Sequence, residues 1–133
     1  IIGILATVVL GAVNPARQFK QARDSQRVAN VNTILNALGQ NISDHQGVLH
    51  CGGGRMDLPN SAVLMATEND GLDIADCLVP DYLPKLPHDP YPEKGHYTSE
   101  DDYNTGYFIS VDQLGRLTVA AQGEIQEDIR VSR

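Results

Sequence analysis

The side chains able to carry chemistry are few and scattered. His45, His50, His88 and His96 are unclustered, and Cys51 and Cys77 lie 26 positions apart. Acids gather at Glu100-Asp101-Asp102, with Asp112 ten residues further on. A nucleophile needs a base within hydrogen-bond reach, and a zinc site needs closely spaced Cys or His ligands. Neither pattern is present, and there is no Gly-x-Ser-x-Gly, His-Glu-x-x-His or P-loop sequence. His50 beside Cys51 makes no nucleophile and base, because neighbours on a strand point to opposite faces. Each histidine is therefore read as a surface residue and the chain as a non-enzyme. Carboxylates are hard oxygen ligands, so calcium is the one cofactor left open, at Asp101, Asp102 and Asp112. The plainer reading there is a solvated acidic loop.

Two smaller motifs are read conservatively. The Cys51-Gly-Gly-Gly-Arg55 run lacks the lysine and following helix of a phosphate cradle, so it reads as a flexible loop. Asn41-Ile42-Ser43 fits a glycosylation acceptor, but Ile42 falls on an apolar helix stripe. In an exported protein Cys51 and Cys77 would pair, restricting the unfolded chain by about 3 kcal/mol; in a reducing compartment they would be two buried thiols. The disulfide is the expectation.

The 133 residues suit one domain, and 41% apolar residues with no Trp give a modest core of Leu, Ile, Val and Ala. The net charge of −7 is unevenly spread. Residues 1–40 hold Arg17, Lys20, Arg23 and Arg27 against the single acid Asp24, whereas the remainder has sixteen acids and six bases. A head so negative repels phosphate backbones and is a poor candidate for general nucleic-acid binding.

These residues must be carried by a long helix. Residues 1–13 are apolar except Thr7, and no charge appears before Arg17. That is short of the ~20 residues needed to span a bilayer. The chain already starts deep in apolar sequence, so a longer apolar stretch with residues before Ile1 is expected. Beyond Pro15, Val28, Val31, Leu35, Leu38 and Ile42 recur at spacings of 3 and 4, widened by Ile34, to form one apolar helix face. A helix over 1–42 would be roughly 60 Å long. Gly11, Asn14 and Pro15 predict a break, either a kink over 9–16 or a fresh helix with Asn14 as N-cap and Pro15 at its first position.

Ile1-Ile-Gly-Ile-Leu-Ala, Asn14-Pro15-Ala16-Arg17-Gln18 and Ala22-Arg23-Asp24-Ser25-Gln26-Arg27 resemble the N-terminal helix of type IV pilins and type II secretion pseudopilins. The resemblance is most specific over residues 1–38. The family's processed N-terminal residue and the Glu four residues later have no counterpart here. The resemblance implies a structural subunit of an extracellular, cell-surface filament, inserted in the membrane before assembly. Its partners would be further copies of itself, an inner-membrane pilus assembly machinery and a prepilin peptidase. Ile1, Ile2, Ile4, Leu5, Val8, Val9, Leu10 and Val13 would form the filament core. Arg17, Lys20, Arg23 and Arg27 would meet acids of neighbouring heads. A secretion pseudopilin and a membrane-anchored binding domain are the alternatives.

The head, residues 43–133, is expected to begin with a short strand near 48–50. A strand or helical turn over 61–67 and a short helix over 73–78 should follow. Three prolines in 82–90 predict an extended surface segment, of a kind found before the sheet in small pilin and pseudopilin heads. Alternation over 106–111 and 116–121, with a turn at 112–115, predicts a β-hairpin laid over Val31, Leu35, Leu38 and Ile42. Residues 122–133 are a surface tail or a final strand. The fold class is α+β: a long N-terminal helix packed on a small antiparallel sheet.

Overall fold

The computed structural model describes residues 14–133. The expected core positions Ile1, Ile2, Ile4, Leu5, Val8, Val9, Leu10 and Val13, and the expected break residue Gly11, lie outside the described residues.

Helix α1, Pro15–Asp44, has 30 residues and is therefore about 45 Å long. Of the two arrangements expected at its start, the capped one forms. Asn14 is extended, its side chain accepts the Arg17 N–H at 3.3 Å, and Pro15 occupies the first turn, where its missing N–H has no helical partner anyway. The helix runs two residues past 42. Gln46 and Gly47 then take left-handed conformations (φ 59° and 91°), and the Gly47 N–H returns to the Ile42 carbonyl at 2.8 Å. That reversal stops the helix.

The head has strands β1 His50–Cys51, β2 Gly54–Arg55, β3 Val63–Ala66, β4 His96–Ser99, β5 Asp102–Val111, β6 Leu117–Ala121 and β7 Ile129–Ser132, with the one-turn helix α2 Ala75–Leu78 between β3 and β4. The pairings between these strands are antiparallel, and Met65 of β3 adds an isolated parallel bridge to Leu72. The main sheet runs β3-β5-β6-β7, with β4 also on β5. The expected hairpin is β5–β6, in register Phe108↔Ala120 to Val111↔Leu117, and the C-terminal segment is its third strand, β7. The triple glycine is not a flexible loop: Gly52 and Gly53, both with positive φ, make the two-residue turn of the β1–β2 hairpin.

Alternation places Tyr103, Tyr107 and Ile109 of β5, Leu117, Val119 and Ala121 of β6 and Ile129 of β7 on the inner face. Against them pack Val31, Ile34, Leu35 and Leu38 of α1, all essentially without solvent exposure. Each such aliphatic side chain contributes about 1.5–3 kcal/mol relative to exposure. The second half of α1 therefore shares one core with the head. Three expectations are corrected. The helix lies on β6 and β7 rather than squarely on the β5–β6 hairpin, and Val28 is on the exposed side. The proline-rich segment is not wholly at the surface: Leu86 and Asp89 are inserted beneath it.

Candidate assembly interface and the ion cluster beside it

The first turns of α1 meet the head only across an open groove, where Arg17 and Lys20 face Glu124 and Ile125. Every residue from 14 to 22 is exposed, including Arg17, Lys20 and Phe19, the last with 64% of its surface in solvent. Among the described residues no salt bridge engages Arg17 or Lys20.

One turn later the same residue types have a different fate. Arg27 is fully buried and donates to three carboxylates of its own chain: bidentately to Asp89 at 2.8 and 2.9 Å, to Asp24 at 2.7 Å and to Glu124 at 2.9 Å. Arg23 donates to both oxygens of Glu124 at 2.5 and 2.7 Å and lies over the Tyr91 ring, 5.7 Å from its centroid. The expectation that Arg27 faces a neighbouring head is therefore corrected. Arg27 is sealed inside, and Arg23 is held by Glu124 with about a third of its side chain exposed.

Two loops bring the acids to the helix. Asp24 accepts the backbone N–H groups of Glu124, Ile125 and Gln126 at 2.9, 2.8 and 3.0 Å, folding the β6–β7 loop over α1. Burial would push its carboxyl up. The three backbone donors, with Arg27, outweigh that and hold it at about 2. Arg23 first, with Arg27 behind it, also lowers Glu124 to about 2 against its partial burial. The Arg27 guanidinium is raised, chiefly by its hydrogen bonds to Asp89. Gly123 shapes the first loop, because a Cβ there would lie 2.0 Å from the Gln126 carbonyl oxygen and 3.0 Å from Asp24. Gly106 (φ +75°) shapes the second, because a Cβ would meet the Lys94 carbonyl at 2.8 Å and the Asp89 Cβ at 2.9 Å.

Neutral groups continue the seam. Asn30 donates to the His88 carbonyl and the Tyr107 hydroxyl at 2.9 and 2.8 Å. Burial raises the Tyr107 phenol to about 12, against the lowering effect of the Asn30 bond. At the far end of α1, Asn41 is buried. Its side chain donates to the His50 and Cys77 carbonyls and accepts the His50 N–H. A buried amide with these three bonds is no glycan acceptor, in keeping with the conservative reading of 41–43. Cys51 and Cys77 form a disulfide, with Met56 Sδ 3.7 and 3.9 Å from the two sulfurs.

The calcium candidates are not gathered. Asp102 and Asp112 flank opposite ends of β5, about 30 Å apart at strand rise. Asp102 faces His96 at 3.2 Å, while Asp112 accepts the Leu114 and Arg116 N–H groups in the hairpin turn. Asp101 is exposed in the β4–β5 turn. Among the described residues no group of three or more His, Cys, Asp or Glu side chains is placed to hold a metal, and no helix is long and apolar enough to cross a membrane.

Sequence reasoning found Arg23 and Arg27 but missed their partners. The only local signal was the Asp24–Arg27 pair at i,i+3; Asp89 and Glu124 lie 62 and 97 residues from Arg27. No protein-family model matches the chain, and comparison with curated proteins and with solved structures gives no match.

Proposed function

We propose that this chain is a structural subunit of an extracellular filament of the type IV pilin kind, assembled through its apolar N-terminal segment. The observation that carries the reading is the bare start of α1. Residues 14–22 are all exposed and follow in sequence a 13-residue stretch that is apolar except for Thr7, while the second half of the same helix is the spine of a folded head. A helix in two such halves suits a subunit whose lower part is covered by other copies. The disulfide suits an oxidising compartment. Burial of the apolar segment drives association at about 25 cal/mol per Å², before the ordering cost is subtracted. Head-to-stalk contacts are heterologous and do not close, so growth is open and helical. With Arg23 and Arg27 engaged inside the head, Arg17 and Lys20 carry the electrostatic part of the contact. The assembly machinery and peptidase implied by the resemblance would act before and during this step.

The test is removal of detergent from the purified full chain, followed by electron microscopy and sedimentation. Filaments or large regular multimers are expected. A monodisperse monomer in water, with the apolar segment folded against its own head, would overturn the proposal.

A further inference from the structure

Two apolar features of the head face solvent at opposite ends of the β5–β6 hairpin. At the tip, Leu114 has 85% of its surface exposed. The turn accounts for its neighbours but not for this side chain. Asp112 accepts the Leu114 and Arg116 N–H groups at 2.9 and 2.8 Å, and Gly115 supplies the positive φ (81°) of the reversal. Nothing in that geometry asks for a leucine, and an apolar side chain so exposed gains little from the fold. At the other end, on the sheet face turned away from α1, lies an open groove of ≈ 790 Å³. The register Phe108↔Ala120↔Arg130 sets a small residue between two large ones and dents the sheet there. Phe108, 39% exposed, is one wall, and the 122–128 loop closes the end with Glu124, Glu127 and Asp128. Glu124 is taken by Arg23 and Arg27, and Asp128 by Arg130, but among the described residues Glu127 is in no salt bridge.

We propose that the hairpin tip of one copy seats in this groove of a second copy, with Leu114 against Phe108 and Ala120 and Arg116 beside Glu127. The groove exceeds the size of one leucine and admits the turn that carries it. Charge favours the match: the lining is acidic, and Arg116, next to Leu114, reaches its own Asp112 only at 3.9 Å. A tip cannot fill the groove of its own chain, because the paired strands hold Leu114 up to roughly 20 Å beyond Phe108 at strand rise. Tip and groove are different surfaces, so the contact is heterologous and every seated copy leaves one of each open. Glu124, Ile125 and Gln126 bond the groove end of the hairpin to Asp24 of α1, while Gly115 and Leu117 at the tip end share a cleft with Ile42 and Gly47. The two patches therefore lie at opposite ends of the head along α1, and seated copies are displaced along that helix. This contact rests on the filament reading above and adds a head-to-head link separate from the apolar segment and from Arg17 and Lys20. A patch this small holds because it is repeated along a polymer.

The test uses the purified full chain and its variants, with assembly followed by sedimentation and electron microscopy and folding by circular dichroism. Leu114→Gln keeps the side-chain length and should raise the concentration at which filaments appear by about tenfold, with the unfolding midpoint unchanged. Arg116→Glu and Glu127→Lys should each raise it by about threefold, and the two together should restore it. Arg116→Lys keeps the charge and offers an amine. In filaments grown from mixed light and heavy isotope-labelled chains, a carbodiimide should then join positions 116 and 127 between a light and a heavy chain. An unchanged threshold in Leu114→Gln would assign the tip to another partner and overturn the proposal. Filaments without the inter-chain link, or a double variant no better than the single ones, would overturn it too. Each of these results leaves the filament reading standing, whereas an unmodified chain that never assembles overturns both.

Discussion

Two consecutive stretches of one helix treat the same residue types in opposite ways. Arg17 and Lys20 sit in solvent, while Arg23 and Arg27, three and seven positions beyond Lys20, are drawn into a cluster with Asp24, Asp89 and Glu124. Within the helix itself the Asp24–Arg27 pair at i,i+3 is the one local difference. The difference comes from two loops, 87–90 and 122–128, whose carboxylates bond the second pair and, among the described residues, not the first. A basic residue on an amphipathic helix is thus free or structural according to what the rest of the chain brings to it.

The sharpest way to break this contrast is Arg27→Met. It leaves Asp24 and Asp89 buried without their cation, and the expected loss is about 3–5 kcal/mol in denaturant unfolding. Arg17→Met should stay within about 0.5 kcal/mol. Equal effects would mean that the cluster does not hold the head to the helix. The next effect is at the opposite end of α1. Replacing both Cys51 and Cys77 by Ser opens a loop spanning 26 positions and should cost about 3 kcal/mol. Exposure of residues 14–22 should not change, a point that hydrogen exchange can check. Third, Gly123→Ala drives a Cβ into the Gln126 carbonyl. A loss of about 1–3 kcal/mol is expected, together with faster exchange of the amides of 124–126 that bond Asp24.

Much of the architecture was legible because it is written in local periods. The 3-and-4 spacing of Val31, Leu35 and Leu38 marks the buried face of α1, and the alternation through Tyr107, Ile109, Leu117 and Val119 marks β5 and β6. The misreadings share one cause, long-range partners. Asp89 looked like part of a surface proline run because its guanidinium partner is 62 residues away. The structural role of Asn41 was not seen because the His50 and Cys77 groups it joins are 9 and 36 residues away. The cysteine pairing was half legible, since composition offered the pair and only the compartment decided it. Residues 51–55 were misread because three glycines suggest looseness, whereas two of them supply the positive φ that a tight hairpin requires.

Acid sharpens the contrast without mutation. Asp24 and Glu124 are held at about 2 in the folded chain, against ordinary values of 3.8 and 4.5. A carboxylate whose folded value is depressed adds stability that is complete above its unfolded value and disappears as pH falls through the folded one. Stability should therefore fall between about pH 4.5 and 2, with a slope of up to about 1.4 kcal/mol per pH unit for each extra proton bound on unfolding. Arg27→Met should flatten that slope, because it removes a cation that helps to depress both groups. Lys20→Met should leave it unchanged. Identical acid profiles in the two variants would refute this account.

The smallest effect on folding carries the most weight for function. Charge reversal of Arg23 and Arg27 cannot test assembly, because it would first put new acids among Asp24, Asp89 and Glu124 and loosen the head. Arg17→Glu with Lys20→Glu avoids that difficulty, since both residues are exposed and outside every salt bridge of the described chain. Unfolding free energy should change by no more than about 0.5 kcal/mol. Filament yield should drop at low salt, where attraction to acidic heads is least screened, and the gap from the unmodified chain should narrow as ionic strength rises and the Debye length shrinks. An unchanged yield at every salt concentration, with the head still stable, would leave the apolar segment as the sole source of association and remove charge from the assembly mechanism.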